Sequence, residues 1–85
     1  MVNVKEYIEE HGYEDVTVFD SPSYDAAFVG MTSDGRAVYD FEKMVQCLVD
    51  DGMEAEEAVE FIEFNTLRAL TYFQNAPVVL YPIDE

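Results

Sequence analysis

Apolar positions along the chain fall into blocks of helical spacing and blocks of strand-like composition. Val4, Tyr7, Ile8 and His11 recur at helical intervals while Glu6, Glu9 and Glu10 turn away, which predicts a short helix over residues 4–11. Asn3 is placed to cap it with Glu6 three residues on, Val2 and Tyr7 are spaced as a hydrophobic staple, and Gly12 supplies a stop. Val16-Thr17-Val18-Phe19 is β-branched and aromatic and reads as a strand. Residues 20–25 are turn chemistry, and residues 26–31 read as a second strand in which Gly30 marks a bulge or a close backbone approach. Asp34-Gly35 is a hairpin turn signal, after which residues 36–39 return as a third strand. These strands predict a three-stranded antiparallel meander.

The pattern then changes period. Asp40 caps a helix in which Phe41, Met44, Val45, Leu48 and Val49 form one apolar arc, and Gly52 offers a left-handed residue to end it. Asp50 and Asp51 oppose the negative end of that helix dipole, so this end is expected to fray. Glu54-Ala55-Glu56-Glu57 opens a long helix running to about residue 73, its acids matched to the positive end. Asn75-Ala76-Pro77 breaks the chain before an apolar strand, Val78-Val79-Leu80-Tyr81. The expected architecture is a single α+β domain over residues 1–85: a short N-terminal helix, the meander, two helices packed on the sheet and a C-terminal strand joining it.

The long helix carries three stripes. Ala55, Val59, Ile62, Thr66, Ala69, Leu70 and Phe73 fall on one face at 100° per residue and are expected against the sheet. Glu56, Glu60 and Glu63 form a carboxylate row, and Glu57, Phe61, Phe64 and Arg68 lie almost opposite the apolar stripe. Phe61 and Phe64 there admit two readings. Either neighbouring helices cover the back of a central helix, or the two rings form an exposed aromatic patch beside carboxylates, as in many protein-binding surfaces. Arg68 is placed to stack on Phe64 or to pair with an acid from another element, and an ion pair there is expected to be structural and not functional. Asn65 and Thr66 suit buried hydrogen bonding or a slight helix bend.

Charge sharpens this picture. The chain has 85 residues, 19 acids and 4 bases, for a net charge of −15, so it lacks the basic stripe that binds nucleic acid or anionic lipid. It favours basic partners and fast association with them at low salt, although solubility alone also accounts for acidity. A hydrophobic fraction of 49% is too high for a disordered acidic tail. Cys47 is the only cysteine, which rules out an intramolecular disulfide and suits a reducing compartment. The start of the chain has neither signal-peptide nor transit-peptide character, and no apolar run approaches the roughly 20 residues of a membrane span. A soluble, cytoplasmic protein is expected.

Catalytic chemistry is sparse. His11 and Cys47 are the only histidine and thiol, they are far apart in sequence, and Cys47 flanks an apolar arc, which suits a small packed residue. Phosphate loops and paired His or Cys metal motifs are missing. Asp50-Asp51-Gly52-Met53-Glu54 superficially resembles a calcium loop but lacks its alternating ligands and distal Glu. A hydrolase using paired carboxylates needs two acids across a cleft, for which this chain has little room. The expectation is a non-enzyme without cofactor or metal.

Two stretches carry a resemblance. Asp34-Gly35-Arg36-Ala37-Val38-Tyr39-Asp40, and Asp51-Gly52-Met53 followed by residues 57–70 (Glu-Ala-Val-Glu-Phe-Ile-Glu-Phe-Asn-Thr-Leu-Arg-Ala-Leu), together with the closing apolar strand, resemble a family of small acidic proteins of bacteria and their phages, mostly uncharacterised. Glu54 stands where that pattern has a Ser or Thr cap and Thr71 where it has Pro, which weakens the helix start and lets the helix run further. The resemblance implies no catalytic residue. Its phage association implies one candidate role, an inhibitor of a nucleic-acid-binding host defence protein of the anti-CRISPR or anti-restriction type, acting as a nucleic-acid mimic. The partner-binding residues would be Glu56, Glu57, Glu60 and Glu63, with Asp50 and Asp51 adding charge and Phe61, Phe64 and Tyr24 adding anchors. The alternative is a structural or accessory homo-oligomer joined through a sheet edge or the aromatic stripe.

Overall fold

The computed structural model describes residues 3–19 and 24–83. Helix α1 spans Val4–Glu10, and its cap forms as the sequence suggests: the Asn3 side chain accepts the Glu6 amide N–H at 3.2 Å. The Val2 staple lies outside the described residues. The Tyr13 amide donates to the Ile8 carbonyl (3.1 Å) and the Gly12 amide to the Glu9 carbonyl (3.2 Å), closing the helix in a Schellman motif.

Residues 16–19 form no strand. This segment is anchored by side chains: the Thr17 hydroxyl donates to the Gln74 carbonyl (2.8 Å) and the Asn75 amide group to the Asp15 carbonyl (3.2 Å). Val16, Val18 and Phe19 pack against the core, so their β-branched and aromatic character serves packing and not a ladder. The second predicted strand starts late, because Asp25–Ala27 is a 3₁₀ turn and β1 runs Phe28–Met31. Strand β2, Ala37–Asp40, is antiparallel to β1, with a register shift between Phe28 and Gly30 where the bulge was expected. The hairpin closes through Thr32 and Arg36, the Thr32 amide donating to the Arg36 carbonyl at 2.8 Å. Gly35, at φ 84°, supplies the left-handed position of a three-residue loop.

Strand β3, Val78–Leu80, lies beside β2 and parallel to it, with Val79 opposite Tyr39. The sheet is therefore mixed, in the order β1-β2-β3, and the antiparallel meander is corrected to one hairpin plus a parallel strand. A helical crossover between β2 and β3 is what permits parallel pairing. Arg36 braces this junction, its Nε donating to the Ala76 carbonyl at 2.8 Å.

Helix α2 spans Phe41–Asp50, and the Asp40 carboxylate accepts the Lys43 amide at 3.1 Å. It closes in a second Schellman motif, Met53 to Leu48 and Gly52 to Val49, both at 3.0 Å, with Gly52 at φ 103°. Asp50, at the unfavourable end of the dipole, accepts a hydrogen bond from the Gln46 side chain at 2.9 Å. Helix α3, Ala55–Phe61, begins at Glu54 without a side-chain cap.

Beyond Phe61 the rod continues as a π turn, Ile62–Thr66, then an α turn, Leu67–Ala69, and a 3₁₀ turn, Leu70–Tyr72. The Leu67 amide donates to the Ile62 carbonyl five residues back, and this widened turn moves the inward face. Ala58 and Ile62 are fully buried and Leu67 packs on the same core, a spacing of four and then five. The stripe at 100° per residue is corrected at both ends: Ala55, in the first turn, and Phe73, extended past the last turn, are exposed, while Ala58 beside the stripe is fully buried.

Helix α2 packs on α3, on the 3₁₀ turn Asp25–Ala27 and on β2. Met44, Leu48, Ile62, Ala37, Tyr39 and Val4 form the centre of the core. A line of rings crosses it, Tyr7 to Phe28 (5.3 Å), Phe28 to Tyr39 (5.8 Å), Tyr39 to Phe19 (4.7 Å) and Phe19 to Tyr24 (5.3 Å). Such pairs add about 0.5–1.5 kcal/mol each beyond area burial.

Candidate functional site

The carboxylates of the long helix stand outward. Glu56, Glu57, Glu60 and Glu63 are exposed, as are Asp50 and Asp51 at the end of α2. Glu56 and Glu60 flank Val59 in a shallow groove that also includes Ala55. Val59 is shared with a second groove, lined by Phe41, Glu42, Val45, Tyr81 and Pro82. The two grooves meet at Val59, which puts Val45, Val59 and Tyr81 between Glu42 in one groove and Glu56 and Glu60 in the other. Tyr81 is exposed by 56% and stacks on Phe41 with centroids 4.4 Å apart, which holds its ring in place there.

The two phenylalanines part company. Phe61 is half-buried and packs against the core, whereas Phe64 is 60% exposed. The Arg68 guanidinium lies over the Phe64 ring, 6.0 Å from its centroid, which is the stacking alternative. Tyr24, considered as an anchor, is 3% exposed and cannot present its ring to a partner. The apolar neighbours of the acidic row are therefore Val59, Val45 and Tyr81. Tyr81 was legible only as a strand residue, because its approach to α2 depends on the parallel placement of β3.

A third groove, of about 400 Å³, lies on another side of the long helix between the π turn and residues 17–19. Phe61, Thr66 and Leu70 wall it from the helix, and Val18, Phe19 and Tyr24 from across. The Tyr24 hydroxyl and the Thr66 hydroxyl are 3.4 Å apart there. Burial raises the Tyr24 phenol above its ordinary value, with the Thr66 contact pulling in the opposite direction. Periodicity did not reveal this groove, since it depends on the π turn and on the non-strand path of residues 16–19.

His11 is exposed, its Nδ1–H donating to the Tyr7 carbonyl (2.9 Å) and its ring stacking on Tyr7 at 4.1 Å. Cys47 is half-buried on α2, and burial pushes its thiol up, followed by the charges of Asp50, Asp51 and Asp25. A raised thiol pKa keeps it protonated and a poor nucleophile at neutral pH. Among the described residues no three His, Cys, Asp or Glu side chains are grouped to hold a metal ion, and no helix is long and apolar enough to cross a membrane.

No protein family, curated protein or solved structure matches the chain.

Proposed function

We propose that the protein is a non-catalytic binding module whose acidic helix surface receives a basic surface of another protein. The observation that carries this reading is the placement of Val45, Val59 and Tyr81 between Glu42 in one groove and Glu56 and Glu60 in the other. An apolar centre with a charged rim is the arrangement of many protein interfaces. With a net charge of −15, the rim attracts cationic partners over a distance and repels nucleic acid and anionic lipid. Glu57, Glu63, Asp50 and Asp51 extend the same negative field, and Phe64 offers a further exposed ring. In its sharpest form the partner is itself a nucleic-acid-binding protein, and the carboxylate row occupies its phosphate-binding groove. A phage or mobile-element inhibitor of host defence, of the anti-CRISPR or anti-restriction type, fits that form.

The test is a pull-down from host lysate at low and high salt, using the native chain and a Glu56→Lys/Glu60→Lys variant. The expected result is a partner that is released by salt, lost on charge reversal and displaced by added duplex DNA or RNA. Capture that survives both salt and charge reversal refutes an electrostatic interface, and capture indifferent to nucleic acid refutes mimicry.

A second reading, a homo-oligomeric accessory protein, draws on the sheet edge. Strand β3 is an edge strand, with Leu80 and Tyr81 exposed beside it. Sedimentation at rising salt separates the two readings, since a monomer at all salt concentrations removes the oligomer.

A further inference from the structure

The groove beside the π turn differs in chemistry from the acidic surface. We propose that it is a binding site for a small neutral aromatic molecule bearing one hydrogen-bonding substituent, such as a phenol or an aromatic alcohol. The site is independent of the acidic face: none of the acids Glu42, Glu56 or Glu60 lines it.

Its size, about 400 Å³, lies at the lower end of the usual range for small-molecule pockets, roughly 300–1,000 Å³. Its walls are built with local distortions. The helix side includes Asn65 and Thr66 from the π turn Ile62–Thr66, a rare geometry found often at functional sites. The opposite side includes Tyr24 at φ 53°, a left-handed conformation that a bulky aromatic residue seldom adopts and that costs about 1–3 kcal/mol. Tyr24 is nonetheless 3% exposed and has an edge contact to Phe19, so its ring is fixed while its hydroxyl meets Thr66.

That meeting is incomplete. The Tyr24 and Thr66 oxygens are 3.4 Å apart, beyond the usual O–H···O separation of about 2.7–2.8 Å. Two hydroxyls in the groove wall, one on a residue more than nine-tenths buried, thus retain unused donor and acceptor capacity. Burial keeps the Tyr24 phenol protonated, so it remains available as a donor. Among the described residues the rest of the lining is apolar apart from Asn65 and Thr17, whose hydroxyl is already engaged by the Gln74 carbonyl, and no lining side chain is charged. A carboxylate or phosphate entering the groove finds no cation and meets the field of a protein of charge −15. A neutral ring, by contrast, finds the faces of Phe19 and Phe61 and one polar pair to satisfy. The occupant is therefore apolar in body, uncharged, and polar at a single point.

The experiment titrates the ¹⁵N-labelled full chain with p-cresol, toluene and benzoate and follows amide shifts. Saturable shifts are expected for residues 17–19 and 65–70 with both neutral rings. One added hydrogen bond makes p-cresol tighter than toluene by roughly threefold to tenfold, and benzoate leaves these amides unmoved. In Tyr24→Phe and in Thr66→Val the preference for p-cresol over toluene should vanish while toluene still binds. If Tyr24→Phe fails to fold by circular dichroism, Thr66→Val carries the comparison. Lack of saturable shifts with either ring overturns the proposal, as does benzoate binding like p-cresol or a p-cresol preference that survives Thr66→Val.

Discussion

Tyr39 sits on the central strand with its side chain fully buried, and its hydroxyl has no hydrogen-bond partner among the described residues. The backbone of Phe19 lies near enough to favour the phenolate slightly, yet it does not complete a hydrogen bond, and burial pushes the phenol up to about 12. Leaving a buried hydroxyl unpaired costs about 1–3 kcal/mol, whereas Phe keeps the ring contacts to Phe19 and Phe28. Tyr39→Phe should therefore stabilise the protein, by about 1 kcal/mol at neutral pH, or roughly 4–8 °C in melting temperature for a domain of this size. The sign of the pH effect follows from the phenol being raised above its ordinary value of 10.0. Its contribution is fully present below that value and is lost as pH rises towards 12, because the unfolded chain releases the proton first. By about pH 11 the native chain loses a further 1.4 kcal/mol that Tyr39→Phe does not lose. Urea unfolding of both proteins at neutral pH and near pH 11 measures the two gaps. A destabilised Tyr39→Phe would show that the hydroxyl is well bonded, and a gap that fails to widen at high pH would refute the burial argument.

Other substitutions probe the remaining features. Phe61→Ser should lower stability by about 1.5–3 kcal/mol, roughly half of what truncating a fully buried aromatic costs, while exposed Phe64→Ser stays within about 0.5 kcal/mol; equal thermal shifts would refute the separation of the two rings. Gly52→Ala should cost about 1–2 kcal/mol from backbone strain alone, because a Cβ there meets nothing within 4 Å, and Gly52→Asn should recover part of the loss in the same melts. Cys47 should react slowly with Ellman's reagent at neutral pH and quickly in urea, since burial and three aspartates hold its thiol protonated; rapid reaction of the folded chain would contradict that environment.

The parts of the fold legible in the sequence are those set by short-range chemistry. Asn3 and Asp40 cap their helices, Gly52 closes α2, and Asp34-Gly35 turns the hairpin, because each depends on neighbours within a few residues. Residues 16–19 have strand composition, yet no strand edge pairs with them and side chains tie them to residues 74 and 75. The direction of β3 was not legible, since an apolar run pairs as readily parallel as antiparallel and the crossover decides. Helical periodicity fails beyond the π turn, where a fixed 100° step no longer follows the buried face, and at the helix end, where Phe73 is extended and exposed and not in the core. For the candidate site, the exposed carboxylates were legible from spacing, while the identity of their apolar neighbours was not.

The π turn also explains why one helix carries two unlike surfaces. An α-helix advances 100° per residue, so the extra residue in a π turn rotates everything beyond it by about that angle relative to an unbroken helix. Before the turn, α3 buries Ala58, turns Glu56 and Glu60 outward and leaves Val59 half-buried in the groove they border. Beyond it, the core contact passes to Leu67, and Thr66, Ala69 and Leu70 swing to a side where no carboxylate lines the groove. A continuous α register would have placed Thr66, Ala69 and Leu70 on the same stripe as Ala55 and Val59, beside the acids. The turn thus separates a charged surface suited to a macromolecular cation from an uncharged groove suited to a neutral ring. The sequence cost of this separation is small: a single residue of register within a helix whose capping and charge pattern are otherwise ordinary.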